Sequence, residues 1–389
     1  MKKSVLSLLT LLTVTGSFLT SCTKITDDEA FSNTNTPVGT ENLSGTITNN
    51  ITLDPSKTYY LNGSLIIDNG GTLNIPAGTI IKSKKGFSNY ILALQGGKIN
   101  INGTPDKPVI MQADIETTES GYWGGLIING KAKLSDATPT GSTEINSAYT
   151  YGGNDDTDNS GIIRYLILNN TGAKSSANIE HNGLTLNGVG NSTIIENILV
   201  KNCADDGIEL FGGTVNLKNI LCINTDDDMF DYTQGWRGTL DNAYGIWEKG
   251  FTSTEADPRG LEGDGNLDGN TPTCNLQSDN IIRNLTIDLK IDPITTNDIT
   301  RQMMDVFMIR RGAKSTITNA VVKGTGYAVT LVNMNDKKGA GNPTTTININ
   351  LKDLTTNPAK EINGTAVLNK NETNIGADKT AFNWTKYAF

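Results

Sequence analysis

Three carboxylates, Asp205, Asp206 and Glu209, recur 22 residues later as Asp227, Asp228 and Asp231. The segments that carry them, 197–210 and 219–232, match along their length, with Asn197 over Asn219 and Asn202 over Asn224. If each copy is one turn of a stacked β structure, acid lies above acid at the strand spacing of roughly 4.8 Å. Carboxylates that close repel and raise each other's pKa unless a cation or solvent intervenes. Hard oxygen ligands at this spacing suit Ca²⁺, with Asp227, Asp231 and Glu209 as candidate ligands. The same acids also have a structural reading, in which they cap turns through Asx bonds and the nearby Arg237 neutralises them.

A second candidate is Asp264-Gly-Asn266-Leu-Asp268-Gly269. Oxygen side chains at positions one, three and five, then Gly at six, match the first half of a calcium loop. Position twelve, where a Glu is expected, holds Asn275, so a further ligand such as Glu262 is needed. Residues 156–161 repeat the spacing with Ser160 fifth, and short Asp/Asn/Gly runs also arise in plain turns. Trp236 lies beside Gly235 and could stack on a sugar ring; Tyr122 and Trp123 lie in a similar Gly-rich setting. His181 is the sole histidine and reads as a loop residue, and no Cys-x-x-Cys stands by to build a zinc site. No Ser-nucleophile motif, P-loop or dinucleotide fingerprint is present.

The elements that must position these residues are short strands. Residues 65–75 repeat as 91–101 at offset 26, around Gly70-Gly71 and Gly96-Gly97. Residues 165–170 match 197–202 at offset 32, and 183–186 match 207–210 at offset 24. With 41 glycines and no helical period, the pattern predicts an all-β right-handed parallel β-helix with capped ends, in preference to a β-sandwich. Alternation places Ile198, Val200, Ile208, Leu210, Ile220, Cys222, Phe230 and Tyr232 inward. Asn170, Asn202 and Asn224 share one corner, where a ladder of amide bonds is expected. The coils span 44–335, and 336–389 supplies the last coils and a cap.

Residues 1–21 read as an export leader: Lys2 and Lys3 precede an apolar run from Val5 to Leu19, too short to span a bilayer. Leu19-Thr20-Ser21-Cys22 resembles a bacterial lipobox, which implies lipidation of Cys22 and anchoring in the outer membrane. Acids at Asp27, Asp28 and Glu29 resemble a surface-export signal, and 22–43 reads as a flexible tether. The formal charge of −9, with no basic patch, argues against nucleic acid. Cys203, Cys222 and Cys274 remain beyond Cys22, which allows at most one disulfide.

Several phrases resemble the exported β-helix lipoproteins of Gram-negative bacteria with a pectate-lyase-like solenoid. They include residues 121–130, 182–190 and 205–213, Asp226-Asp-Asp-Met-Phe-Asp231, Gly235-Trp-Arg-Gly238 and Asp257-Pro-Arg-Gly-Leu-Glu262. The resemblance covers most of 44–389 and implies the fold but no assigned reaction. Its lyase cousins bridge enzyme and uronate with calcium and use Arg or Lys as base. That comparison would give Arg237 the base or sugar-carboxylate role, beside Asp228 and Asp231. Three functions are open: a surface lipoprotein that binds a polysaccharide or protein ligand through calcium-stabilised loops, a calcium-dependent lyase or glycosidase acting on an acidic polysaccharide, or a purely structural envelope spacer.

Overall fold

The computed structural model describes residues 41–389 except 137, 177–178, 292–301, 326 and 357. The leader, Cys22 and nearly all of the tether therefore lie outside the described residues. Apart from two short antiparallel hairpins, the described strands form one ladder of parallel pairs, from Asn42–Ile47 to Val367–Lys370. This is the right-handed parallel β-helix expected from the repeats. The register follows the sequence offsets: Leu65 pairs with Ile91, Leu166 with Ile198, Leu184 with Ile208, and Ile198 with Ile220.

A central coil consists of one long strand and one short strand. Ile194–Cys203 is followed by Ile208–Phe211, and Asn216–Thr225 by Phe230–Thr233. The long strand bends at a residue with positive φ: Asn197 at 59°, Asn219 at 57°, Asn242 at 62°, Asn284 at 55° and Asn319 at 52°. Asn tolerates this left-handed conformation better than other residues with a Cβ. The asparagine ladder forms here. Asn219 Nδ2 donates to Asn197 Oδ1 at 2.9 Å, Asn242 to Asn219 at 2.8 Å, and Asn319 to Asn284 at 2.7 Å. The corner at Asn170, Asn202 and Asn224 is also left-handed, but its amides bond elsewhere. Asn170 donates to the carbonyls of Thr117 and Glu119, Asn202 to Asn169, and Asn224 to Glu248. The expected ladder is thus corrected by one corner: the amide-to-amide bonds run through Asn197, Asn219 and Asn242, and again from Asn284 to Asn319.

All eight inward positions expected from alternation lie in the main core. Trp123, Trp236 and Trp247 fill the same interior. Cys203, Cys222 and Cys274 are free thiols, the first two buried.

The C-terminal segment departs from the expected cap. After Val367–Lys370 the chain runs back along the side of the stack. There Phe382 and Trp384 pack on Leu199, Leu221, Tyr244 and Ile246. Asp378 N donates to Asn242 Oδ1 at 2.6 Å and Ala377 N to Thr286 Oγ1 at 2.9 Å, which fixes this strap to the ladder corner. Apolar Phe382 and Trp384 belong to no coil, so burying them requires an outer face.

Candidate metal centre in the acid ladder

The short strands carry the site. Their outward column reads Thr185, Glu209, Asp231, Glu262, one residue per coil, in direct parallel register. The turn before each strand contributes a second column. Asp206 N donates to Asn182 Oδ1 at 3.2 Å, and Asp228 N to Asp206 Oδ1 at 2.9 Å. Arg259 and Asp305 continue at the strand level, paired in register.

Loop insertions wall this face. Tyr151, from the hairpin Thr140–Ser142 and Thr150–Gly152, donates to Gln234 Oε1 at 2.8 Å and packs on Phe211. Lys174 reaches Asp205 at 3.6 Å from a second hairpin. Asp205, Asp206, Glu209, Asp228, Glu262 and Asp264 are all buried as a result.

Carboxylate oxygens approach within 4.8 Å of one another in three groups: Asp205, Asp206 and Asp227; Asp206, Glu209 and Asp231; Asp228, Asp231 and Glu262. The cations sit on the outer two. Lys174 pairs with Asp205, Glu180 and Glu255. Arg259 bonds Glu262 and Asp257 and lies 3.8 Å from Asp228 and 3.7 Å from Asp305. Arg310 bonds Glu262, and its Nε lies 2.7 Å from Asp264. Among the described residues the middle group has no ion-pair partner; Asn182 donates to Glu209.

Three carboxylate oxygens, Oδ1 of Asp227, Asp228 and Asp231, are buried and accept no hydrogen bond among the described residues. Asp228 as a whole is only 3 % exposed. An unpaired buried carboxylate costs several kcal/mol, so such a group either takes up a proton or meets a cation. Burial first, then the neighbouring acids, drives Asp206, Glu209, Asp228 and Asp231 well above the usual carboxylate range. Burial also lifts Asp227 to about 8 against the pull of Arg259, and Asp264 to about 6. The donor set is all carboxylate oxygen, which suits Ca²⁺ and leaves water to complete six to eight ligands.

Of the residues singled out from the sequence, Glu209, Asp227, Asp228 and Asp231 are brought together. Arg237 is not: its guanidinium donates to Gly235 O at 2.5 Å and lies 3.4 Å from Asp156, whose other partner is Lys133. Trp236 is 1 % exposed, packs on Tyr232 and donates to Val215 O at 3.0 Å, so no sugar can reach its ring. The supposed loop 264–269 is also corrected. Asp264 is held by Arg310 and Arg311, and Asn266 donates to Gln277 and to Arg311 O. Asp268 is exposed, 3.5 Å from Arg311. Asp264 and Asp268 both approach Nη1 of Arg311, so a guanidinium already meets these two carboxylates.

His181 is the loop residue expected, between Ile179–Glu180 and Leu184–Asn187, and it is buried. It lies between Phe87 and Tyr90 with Nε2 3.0 Å from Phe87 O, and burial pulls its pKa down to about 4. The sequence reading missed Arg259 and Arg310, and saw Glu262 only as a helper of the 264–269 loop. The signal was present: Asp231 and Glu262 are 31 apart, with the coil lengthened between Trp247 and Arg259.

A family model for a pectate-lyase-like β-helix domain matches residues 45–388. No curated protein and no solved structure matches the chain.

Proposed function

From the chain's membership of the pectate-lyase-like β-helix domain family, we propose that it is a non-enzymatic carbohydrate-binding protein. It is stiffened by calcium in the acid ladder and anchored to the outer membrane, facing outward, through a lipidated Cys22. One observation carries the calcium part: the middle group, buried Asp206 and Glu209 with half-buried Asp231, has no ion-pair partner among the described residues, and a buried oxygen of Asp231 accepts no hydrogen bond there. A cation there supplies charge neutralisation and links successive coils. Asp206 and Glu209 come from one coil and Asp231 from the next. The family and the polar outer grooves support the carbohydrate part. One such groove, of about 390 Å³, runs past Asn219, Asn242, Asn284 and Asn319. A protein partner is the alternative occupant of these grooves.

The lyase reading finds less support. It needs a base that meets substrate beside the cation, and Arg237 is engaged with Asp156 and Gly235. Arg259 and Arg310, which do adjoin the acids, are each committed to two or more carboxylates. Incubation of the lipid-free protein with uronate polymers and calcium should therefore show binding and release no unsaturated oligosaccharide. Unsaturated products that vanish in Arg237→Ala would overturn the proposal. Growth of producing cells with an alkyne fatty acid should label the protein, and Cys22→Ser should abolish the label; a labelled Cys22→Ser protein would refute the anchor.

A further inference from the structure

On the outer face of the long strands, the C-terminal strap leaves a cleft of about 270 Å³. Lys323, Lys352 and Lys379 line it, with Thr286, Asn350 and Asn374, and Asp353 is the one acid of the lining. This concentration of ammonium groups is notable in a chain of formal charge −9. Behind the cleft a single carboxylate, Asp288, is shared. It accepts from Tyr244 at 2.8 Å and lies 3.2 Å from Lys323 and 4.0 Å from Lys290. Lys352 and Lys379 form no ion pair among the described residues.

Two of the three lining lysines, and Lys290 nearby, rest against rings. Lys323 lies 5.6 Å from the centre of Tyr244, Lys290 5.6 Å from Tyr387, and Lys379 5.6 Å from Phe389. Such contacts fix the stems without removing the charge. Burial and the neighbouring Lys323 and Lys290 lower the pKa of Lys379, as expected where positive charges crowd without enough counter-charge. An anion entering the cleft relieves that repulsion and finds ammonium and amide donors together.

We propose that the cleft between the C-terminal strap and the sheet binds the oxyanion group of an acidic saccharide, gripped by Lys323, Lys352 and Lys379. This rests on the carbohydrate-binding reading above and names its ligand class. The charge would come from a sulfate, phosphate or carboxylate, and an inorganic anion shares that chemistry. The test is calorimetric titration of the whole protein with oligogalacturonate, a sulfated oligosaccharide, a neutral oligosaccharide and inorganic sulfate.

At least one acidic saccharide should bind, weaken as salt rises, and be displaced by excess sulfate. Loss of a charge-assisted contact should cost about tenfold in affinity in Lys379→Met and more in Lys323→Met/Lys379→Met. Lys98→Met, which removes an exposed lysine elsewhere, should bind as the parent does. Acidic saccharide binding that survives the double substitution overturns this cleft while leaving carbohydrate binding in place. Equal binding of the neutral oligosaccharide has the same meaning. Binding of inorganic sulfate alone overturns the saccharide assignment, and with it the reading on which it rests.

Discussion

Arg259→Met is expected to lower stability by about 3–5 kcal/mol, the range found when one partner of a buried ion pair is removed. The guanidinium bonds Glu262 and Asp257 and stands within 4 Å of Asp228 and Asp305. Its burial disfavours its charge, yet the surrounding acids outweigh this and hold its pKa above the usual value. Without it, Asp228, Glu262 and Asp305 are left buried with less counter-charge. Lysine is a poor substitute: a single ammonium cannot span these partners as a planar fork does, so Arg259→Lys should recover only part of the loss. Adding Glu262→Leu to Arg259→Met should also restore part, since it removes one of the stranded charges. Urea unfolding followed by circular dichroism measures all three. A loss below about 1 kcal/mol for Arg259→Met, as for an exposed pair, would show that the arginine does not neutralise the ladder.

Acidifying the calcium-free protein should stabilise it, and calcium should reverse the trend. Unfolded carboxylates titrate near 4. In the fold Asp264 is raised to about 6 and Asp227 to about 8, and Asp206, Glu209, Asp228 and Asp231 are raised well above their usual range. A folded pKa above the unfolded one means the native state holds more protons in that window. Its contribution is present in full below about 4 and is lost as pH rises through 6 to 8. His181 opposes this: its lowered pKa, about 4, removes stability as pH falls from about 6.5. It is one group against six, so the carboxylates set the slope.

The melting temperature in chelator should therefore rise from pH 8 to pH 5. Calcium needs the ionised ligands, so its stabilisation is largest at pH 8 and fades as protons compete. At a hundred times its dissociation constant, a ligand of the folded state adds about 2.7 kcal/mol. A calcium-free melting temperature that falls steadily from pH 8 to pH 5 would contradict the assignment of unpaired buried acids.

The fold was legible because register follows offset. The spacings of 26, 32, 24 and 22 residues reappear as strand pairings, and alternation found the inward side chains. The choice of ladder corner was not legible from the doubled segment alone, where each copy carries two asparagines. It is decided by the next coils, where Asn242 continues one column while Trp247 lies beyond the other. The acid columns were read as far as the 22-residue spacing held. Beyond it an insertion after Trp247 shifts the spacing to 31, which hid Glu262 in the ladder and Arg259 beside it. Trp236 and Arg237 were misplaced for a local reason. Gly235, at φ 83°, turns the chain so that Trp236 enters the core and Arg237 faces Asp156. The strap at 377–389 was hidden because its partners, Leu199, Leu221 and Ile246, lie on coils more than a hundred residues earlier.

Calorimetric titration with Ca²⁺ at pH 7.5 tests the acid ladder most directly, using the parent protein, Asp231→Asn and Asp268→Asn. Asp231 belongs to two of the three carboxylate groups, whereas Asp268 belongs to none of them and faces Arg311. The account predicts saturable calcium binding in the parent and in Asp268→Asn, and its loss in Asp231→Asn. Absence of binding in the parent, or binding that survives Asp231→Asn and disappears in Asp268→Asn, would contradict it.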